Sequence, residues 1–371
     1  MRTIAIFLLV LASSLTVFAS ELRFFESTPK MVDLAESLLP NDVKRISDVS
    51  FLVSSDKVRF LLATIHEQTG HCGGFMDVTD QDLDLRRKVQ RESKSPIIFH
   101  PPAPSKARGL VGGRSRFTMQ AIDTVNPQNI RTVAERYSQF HSRYAASELG
   151  VAAAQWLYEY WKKMTETRRD ITVDLVNHAR GYQQSVRVRI PGIDPSKPKV
   201  ILGAHLDSIN VNDEYEGRSP GTDDNASGIA TLTETLRVLL AQNFRPIATV
   251  EIFGYAAEEL GLIGSQRIAE DYFKRGEAVR GVLQLDMVAY PGPTKAVTFY
   301  RDYTNSDLTN WTMQLYRVYV GGQFKKASVA ILVVIMRHGI LIVIRQFFRL
   351  RRFFQTTILK FTPKTTSGML L

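Results

Sequence analysis

The sequence contains a single cysteine, Cys72, among its 371 residues. No disulfide can therefore form within the chain, although disulfides are common in exported proteins. The sequence also lacks an uninterrupted apolar run of the roughly 20 residues that a membrane-spanning helix needs. Its content of 44% hydrophobic and 23% charged residues is typical of a globular protein. The length allows one large domain with an accessory segment, or two medium domains.

Acidic residues are missing from residues 329–371, the C-terminal tail, which instead contains seven Arg or Lys residues. Removing these seven charges from the net charge of +10 leaves +3. The basic excess belongs to the tail rather than to one face of a folded domain, so we expect no nucleic-acid partner. We also expect no membrane partner unless the tail is genuine.

The first residues, MRTIAIFLLVLASSLTVFAS, are typical of a secretory signal peptide. Arg2 precedes an apolar core, and small residues follow, so cleavage is expected after Ala19. The alternative is an N-terminal membrane anchor, which the short apolar run disfavours. The mature protein is therefore expected to be secreted, in the extracellular space or the periplasm.

The remaining sequence divides into four segments by composition. Residues 20–95 have short apolar runs and are interpreted as a pro-segment, which would make the chain a zymogen. Residues 96–113 are rich in Pro and Gly and are interpreted as a linker. Residues 114–328 alternate strand and helix patterns, and the basic, apolar tail follows. The alternation predicts the α/β class, with a mostly parallel central sheet flanked by helices on both faces.

Three segments in this domain predict buried strands because their apolar runs are nearly continuous: KVILGAHL, ATVEIFGYAA and GVLQLDMVAY. The segment YQQSVRVRIPG alternates in the manner of an edge strand, and VTFYRDY predicts a further strand. The segment SELGVAAAQWLYEYWKKM has helical spacing, with Ser147 as its expected N-terminal cap.

Polar clusters follow the predicted strands or open the next helix. They are His205 and Asp207, Asp223 and Asp224, Glu258 and Glu259, and Asp286. Each cluster alone has an ordinary structural explanation, such as a helix cap or a surface turn. Ligands of such sheets bind beyond the carboxyl ends of the strands, where all four clusters would meet. That many acids repel one another unless cations hold them, and one histidine with several carboxylates suits a pair of zinc ions.

The motifs ILGAHLDS, PGTDDNASGIA, GYAAEELGLIGSQ and LQLDM closely resemble those of the co-catalytic di-zinc aminopeptidases of the bacterial leucyl aminopeptidase type. The likeness extends from about residue 123 to about residue 326, in the family's order. It implies an exported zinc aminopeptidase that removes N-terminal, apolar residues from peptides and carries two Zn²⁺ ions. A pro-segment also fits the exported members of that family.

The resemblance also implies a role for each residue at the matching positions. His205 and Asp286 would bind one zinc, Glu259 would bind the other, and Asp224 would bridge the two.

Glu258 would be the general base that acts on a water activated by the two ions. Asp207 resembles the acid that orients the ligand histidine. The peptide bond from Asp224 to Asn225 is expected to be cis.

The tail departs from the family pattern. The family has a CGYxCSDHASW segment and a fifth ligand, a histidine within a segment such as YNPxIHT, and neither is present here. Joining the last base of each codon to the first two bases of the next permits CGYxCSDHASW from Ser328 onward. The same shift permits FSDYNPKIHT over residues 353–363. We therefore hypothesise that residues after about 328 are translated out of frame.

The missing histidine predicts that the chain as written has little or no activity, since one zinc site lacks a ligand. His338 lies in the tail, but proximity alone does not make it the replacement. Two alternatives stay open. One is another reaction on the same fold, such as that of a carboxypeptidase or a glutaminyl cyclase. The other is a non-catalytic, membrane-tethered binding protein that uses the cationic tail.

Overall fold

The computed structural model of the protein describes residues 22–69, 75–79, 110–111, 114–178, 183–290, 296–301, 304–327 and 341–344. The expected signal peptide, most of the expected linker and most of the tail lie outside these residues, so the domain boundaries stay predictions. Within these ranges, no helix combines the length and the apolar character needed to cross a bilayer.

The N-terminal segment forms a four-stranded antiparallel sheet in the order β2-β3-β1-β4. Its strands are β1 (Leu22–Glu26), β2 (Val43–Ser47), β3 (Ser50–Ser54) and β4 (Met76–Asp77). Two helices accompany them, α1 (Pro29–Leu38) and α2 (Ser55–Thr69). Three phenylalanine rings, Phe25, Phe51 and Phe75, pack at the centre of its own hydrophobic cluster. The segment therefore has a core of its own.

The larger part of the chain is built around a six-stranded sheet in the order β14-β11-β9-β10-β8-β7. The strands are β7 (Thr172–Val176), β8 (Ser185–Ile190), β9 (Lys199–His205), β10 (Val250–Tyr255), β11 (Val279–Leu285) and β14 (Leu341–Ile344). The pairs β14-β11, β11-β9 and β9-β10 are parallel, whereas β10-β8 and β8-β7 are antiparallel. The expected mostly parallel α/β sheet is confirmed.

The interpretation of YQQSVRVRIPG as an edge strand is wrong. Its strand β8 pairs on one side with β10 and on the other with β7, so β7 is the edge. The alternating pattern of β8 instead reflects its arginines: Arg187 and Arg189 interrupt buried positions, and Arg187 pairs with Asp174.

Helices cover both faces of this sheet. They are α3 (Arg116–Asp123), α4 (Pro127–Tyr137), α5 (Glu148–Thr165), α6 (Gly228–Ala241), α7 (Ile263–Lys274) and α8 (Ser306–Tyr319). Along β10, Ile252 joins the cluster formed with α5 and α6, whereas its neighbour Phe253 joins the cluster that includes α7. Both faces are apolar, so polar side chains of the central strands are left mainly to their ends.

Smaller elements complete the described part. They are the short strands β5 (Leu110–Val111) and β6 (Arg114–Ser115), the parallel pair β12 (Val297–Tyr300) and β13 (Phe324–Ala327), and a π-helical turn over Thr222–Ser227. The further strand predicted from VTFYRDY is β12, which lies outside the central sheet. The expected cap of α5 is confirmed, because Ser147 Oγ accepts the backbone N–H of Gly150 at 3.0 Å.

Candidate functional site

The strand order brings three polar loops to one edge of the sheet. His205 is the last residue of β9, and Asp286 directly follows β11. Glu258 and Glu259 lie in the loop after β10. Because β9 lies between β10 and β11 and all three are parallel, their carboxyl ends meet at this edge.

His205 is the centre of the cluster. Its Nε2 lies 2.8 Å from Asp224 Oδ1 and 3.6 Å from Asp286 Oδ1. Two sets of possible metal-ligand atoms share this histidine, each with all atoms within 4.8 Å of one another. One set adds Asp224 and Asp286, and the other adds Glu258 and Glu259. The five residues expected to act as ligands and base are therefore neighbours, and their individual roles stay predictions.

Asp207 connects the histidine to the two glutamates. Its Oδ1 lies 3.3 Å from His205 Nδ1, although this contact is not aligned as a hydrogen bond. The same carboxylate accepts the backbone N–H of Glu258 and that of Glu259, each at 3.0 Å. The sequence suggested the contact with His205, but it carried no signal for the two backbone bonds. Asp207 thus lies beside the ring and fixes the loop that carries the glutamates.

The turn over residues 222–227 presents Asp224 to the cluster. The expected cis peptide between Asp224 and Asn225 is confirmed. The Asn225 amide donates to the Leu285 carbonyl at 2.9 Å, and its Oδ1 accepts the N–H of Gly228 at 2.9 Å. One side chain therefore joins the turn to the end of β11 and to the start of α6.

Asp223 lies outside both ligand sets. Its Oδ1 accepts the backbone N–H groups of Ala289 and Tyr290, at 2.8 and 3.2 Å. Burial raises the pKa of this carboxyl to about 6. Asp223 therefore holds the loop after Asp286 in place. It does not belong to the cluster of possible metal ligands around His205.

The electrostatics of the cluster favour a cation. Burial raises the pKa of Glu259 well above its ordinary value, and the carboxylates of Asp224 and Glu258 raise it further. Burial lowers the pKa of His205, but the carboxylates of Asp286 and Glu258 outweigh it and hold that pKa well above the ordinary value. The site therefore contains more buried negative charge than one imidazole can balance.

The donor set fits zinc. Glu259 Oε2 is buried and has no hydrogen-bond partner among the described residues, and a divalent cation would satisfy it. One imidazole nitrogen and several carboxylate oxygens are ligands that zinc accepts. The arrangement can therefore bind metal and hold a glutamate beside it.

Arg143 is a buried residue of this region that the sequence reasoning missed. Its side chain is fully buried, and its guanidinium donates to the carbonyls of Leu206 at 2.9 Å and Gly221 at 3.0 Å. The local sequence HSRYAAS has no pattern that marks it, because the Leu206 and Gly221 carbonyls are backbone groups more than 60 residues away.

Comparison with known proteins agrees with this geometry. Residues 185–330 match the model of peptidase family M28. This region is therefore similar to M28 peptidase domains. Leucine aminopeptidase 1 of Arthroderma otae is 30% identical over 264 residues, which cover 66% of this chain and 65% of that relative. Leucine aminopeptidase 1 of Leptosphaeria maculans is 36% identical over 259 residues, covering 66% of this chain and 63% of the relative. The match thus spans slightly less than two thirds of either relative.

A solved structure has the same fold over most of the chain. LapB from Legionella pneumophila superposes with a TM-score of 0.68 at 22% identity, covering 87% of this chain and 88% of its own. The match to peptidase family M28, the leucine aminopeptidase relatives and this fold confirm the resemblance to the di-zinc aminopeptidases.

A half-buried histidine lies behind the loop that carries the two glutamates. His178 Nε2 is 2.7 Å from Ser185 Oγ, which also accepts the backbone N–H of Ala256 at 2.9 Å. Burial, together with the positive charge of Arg267, lowers the pKa of His178 to about 4. The ring is therefore neutral near pH 7, and its Nε2 shares a hydrogen bond with the Ser185 hydroxyl.

His178 is expected to lower the stability of the folded protein as the pH falls from 6.5 towards 4. In this window the unfolded state binds a proton at His178 before the folded state does, so the stabilisation present above pH 6.5 is lost. The free energy at stake is on the order of 3 kcal/mol. Urea unfolding of His178→Gln at several pH values should show a flatter profile than the wild type. His141→Gln, at an exposed histidine, is the control, and a His178→Gln profile parallel to the wild type would contradict the prediction.

Proposed function

We propose that the chain derives from an exported zinc aminopeptidase that hydrolyses N-terminal, apolar residues from peptides. The observation that carries this proposal is the convergence of two possible ligand sets on His205 at the carboxyl edge of the sheet. The match to peptidase family M28 and the leucine aminopeptidase relatives support the reaction class. The apolar preference and the export rest on the sequence resemblance and the expected signal peptide.

The proposed ligands are His205 and Asp286 for one zinc, Glu259 for the other, and Asp224 shared by both. Two zinc ions held by these residues would polarise the scissile carbonyl and would lower the pKa of a water towards about 7. Glu258 accepts the proton of the attacking water and passes it to the leaving amine. Asp207 keeps the histidine ring and the glutamate loop in place during this transfer.

Contacts of the N-terminal segment support its proposed role as a pro-segment. An added Cβ at Gly261, two residues after Glu259, would lie 3.0 Å from the Asp77 amide and 3.1 Å from the Phe75 carbonyl. Arg59 lies 3.7 Å from Glu214. The segment thus contacts the loop that carries the proposed base, where it can hinder access to the site until it is removed.

The proposed frame change concerns residues after about 328. Of these, the structure describes only β14, which pairs with β11. The match to the family model ends at residue 330, close to the proposed junction. In the chain as written, Glu259 would share the second zinc with Asp224 alone, because the family's histidine segment is missing from the sequence. We propose that this chain consequently has little or no peptidase activity.

The first prediction from this proposal concerns metal content. After equilibration with Zn²⁺ and dialysis, the purified chain is expected to retain about one zinc, at the site that has three protein ligands. Asp286→Ala removes one of those ligands and should retain much less, whereas Asp213→Ala, at an exposed acid, should match the wild type. Elemental analysis measures this. A wild-type chain without zinc, or equal retention in Asp286→Ala, would contradict the ligand assignment.

The second prediction concerns the reading frame. Resequencing the codons for residues 320–335 is expected to restore a base and extend the frame through the CGYxCSDHASW segment to the fifth ligand. The restored protein should hydrolyse leucine p-nitroanilide, and the chain as written should not. An unchanged DNA sequence together with full activity of the 371-residue chain would contradict the hypothesis that the tail is translated out of frame.

The third prediction assigns the base. In the frame-restored protein, Glu258→Gln keeps the shape of the side chain but cannot accept a proton, so kcat should fall by roughly 10²- to 10⁴-fold. Its zinc content should be unchanged. Glu216→Gln, at an exposed glutamate, is the matched control for both measurements. A Glu258→Gln variant with near wild-type kcat would exclude this residue as the base.

A further inference from the structure

The guanidinium of Arg143 is surrounded by backbone carbonyls. It donates from Nε to Leu206 at 2.9 Å, from Nη2 to Gly221 at 3.0 Å, and from Nη1 to Tyr137 at 3.4 Å and to Pro220. The guanidinium also lies over the ring of Tyr137, 4.6 Å from its centre. None of these bonds involves a carboxylate. A fully buried cation held in this way is costly, so its presence calls for a reason beyond packing.

Three of the four accepting carbonyls belong to two separate segments that carry proposed ligands. Leu206 lies between His205 and Asp207, at the end of β9. Pro220 and Gly221 directly precede the turn that carries Asp224. The guanidinium is planar and rigid, so its donors fix the distance and the angle between the two segments.

The backbone of Gly221, directly before the turn, lies close to the Arg143 guanidinium. Gly221 has a φ of +47°, and an added Cβ there would lie 2.7 Å from Arg143 Nη2 and 2.6 Å from Ser208 Cβ. Ser208 Oγ accepts the backbone N–H of Arg143 at 3.1 Å and donates to the Ser219 carbonyl at 2.7 Å. Arg143 and Ser208 thus hold the same turn from two sides.

The charge of Arg143 also suits this position. Burial lowers its pKa, whereas the carboxylates of Asp207, Asp224 and Glu259 favour the charged form. The guanidinium is therefore a fixed positive charge behind the acids. It offsets part of their repulsion without competing for the oxygen atoms that would bind metal.

We infer that Arg143 is a positioning residue for the metal centre, which sets the placement of His205 relative to Asp224 through the backbone carbonyls of Leu206, Pro220 and Gly221. The inference rests on the proposed metal site. Arg143 belongs to neither ligand set, yet by this inference it controls the affinity of the site for metal.

The test measures the zinc affinity of the full chain by competition with a chelating dye. Arg143→Lys keeps the positive charge but loses the planar fork, so zinc affinity should fall by about 10- to 100-fold, as for other partners that orient ligands. The absorption spectrum of bound Co²⁺ should also change, because the ligand geometry changes. Arg187→Lys is the control, since that half-buried arginine bonds to Asp174 and Tyr272 and to neither segment. It should lower stability and leave both metal readouts unchanged.

A folded Arg143→Lys protein with wild-type zinc affinity and Co²⁺ spectrum would overturn the inference. If Arg143→Lys does not fold, Ser208→Ala provides the milder variant, because it removes only the hydroxyl that joins Arg143 to the turn. A several-fold loss of zinc affinity in folded Ser208→Ala then supports the inference, and wild-type affinity refutes it. A wild-type chain that binds no zinc would instead refute the proposed metal site and, with it, this inference.

Discussion

The repulsion among buried carboxylates at one edge of the sheet is the constraint on which the rest of the site depends. Asp207, Glu258, Glu259 and Asp286 are each less than a tenth exposed, and Asp224 lies 2.8 Å from the same histidine. Carboxylates without water interact strongly, and a single imidazole cannot neutralise five of them. Such a cluster is stable in its charged form only if the fold supplies other charges or dipoles, or if cations bind.

Backbone dipoles provide the first part of the answer. Two N–H groups stabilise the anion Asp207, and four carbonyls stabilise the cation Arg143. Hydrogen bonds to charged groups are stronger than neutral ones, so these contacts also hold the loops rigid. Backbone groups of the loops at the strand ends therefore replace water as the hydrogen-bond partners of these buried charged side chains.

The sequence was sufficient for the parts of the fold that depend on local pattern. Continuous apolar runs identified β9, β10 and β11, and the polar residues at their ends identified the edge where ligands meet. The position of β8 was not predictable, because its partner β7 has the sequence TVDLV with intermediate burial at most positions and gives little periodic signal. Arg143 and the two backbone bonds of Asp207 were also beyond prediction. Their partners are main-chain groups, which every residue has, so no side-chain pattern reports them.

Strand pairing and metal binding place different demands on the sequence of the tail. β14 runs parallel to β11, with Leu341 opposite Val282 and Ile344 opposite Leu285. An exposed strand edge pairs with extended backbone whatever its side chains are, so this pairing follows from the open edge of β11. Metal binding is different, because it depends on the identity of each donor. The strand LIVI contains no metal-ligating side chain, and His205 is the one imidazole in either ligand set of the described residues. The described sheet therefore has this architecture without a second histidine in either ligand set, which agrees with the hypothesis that the frame changes after about residue 328.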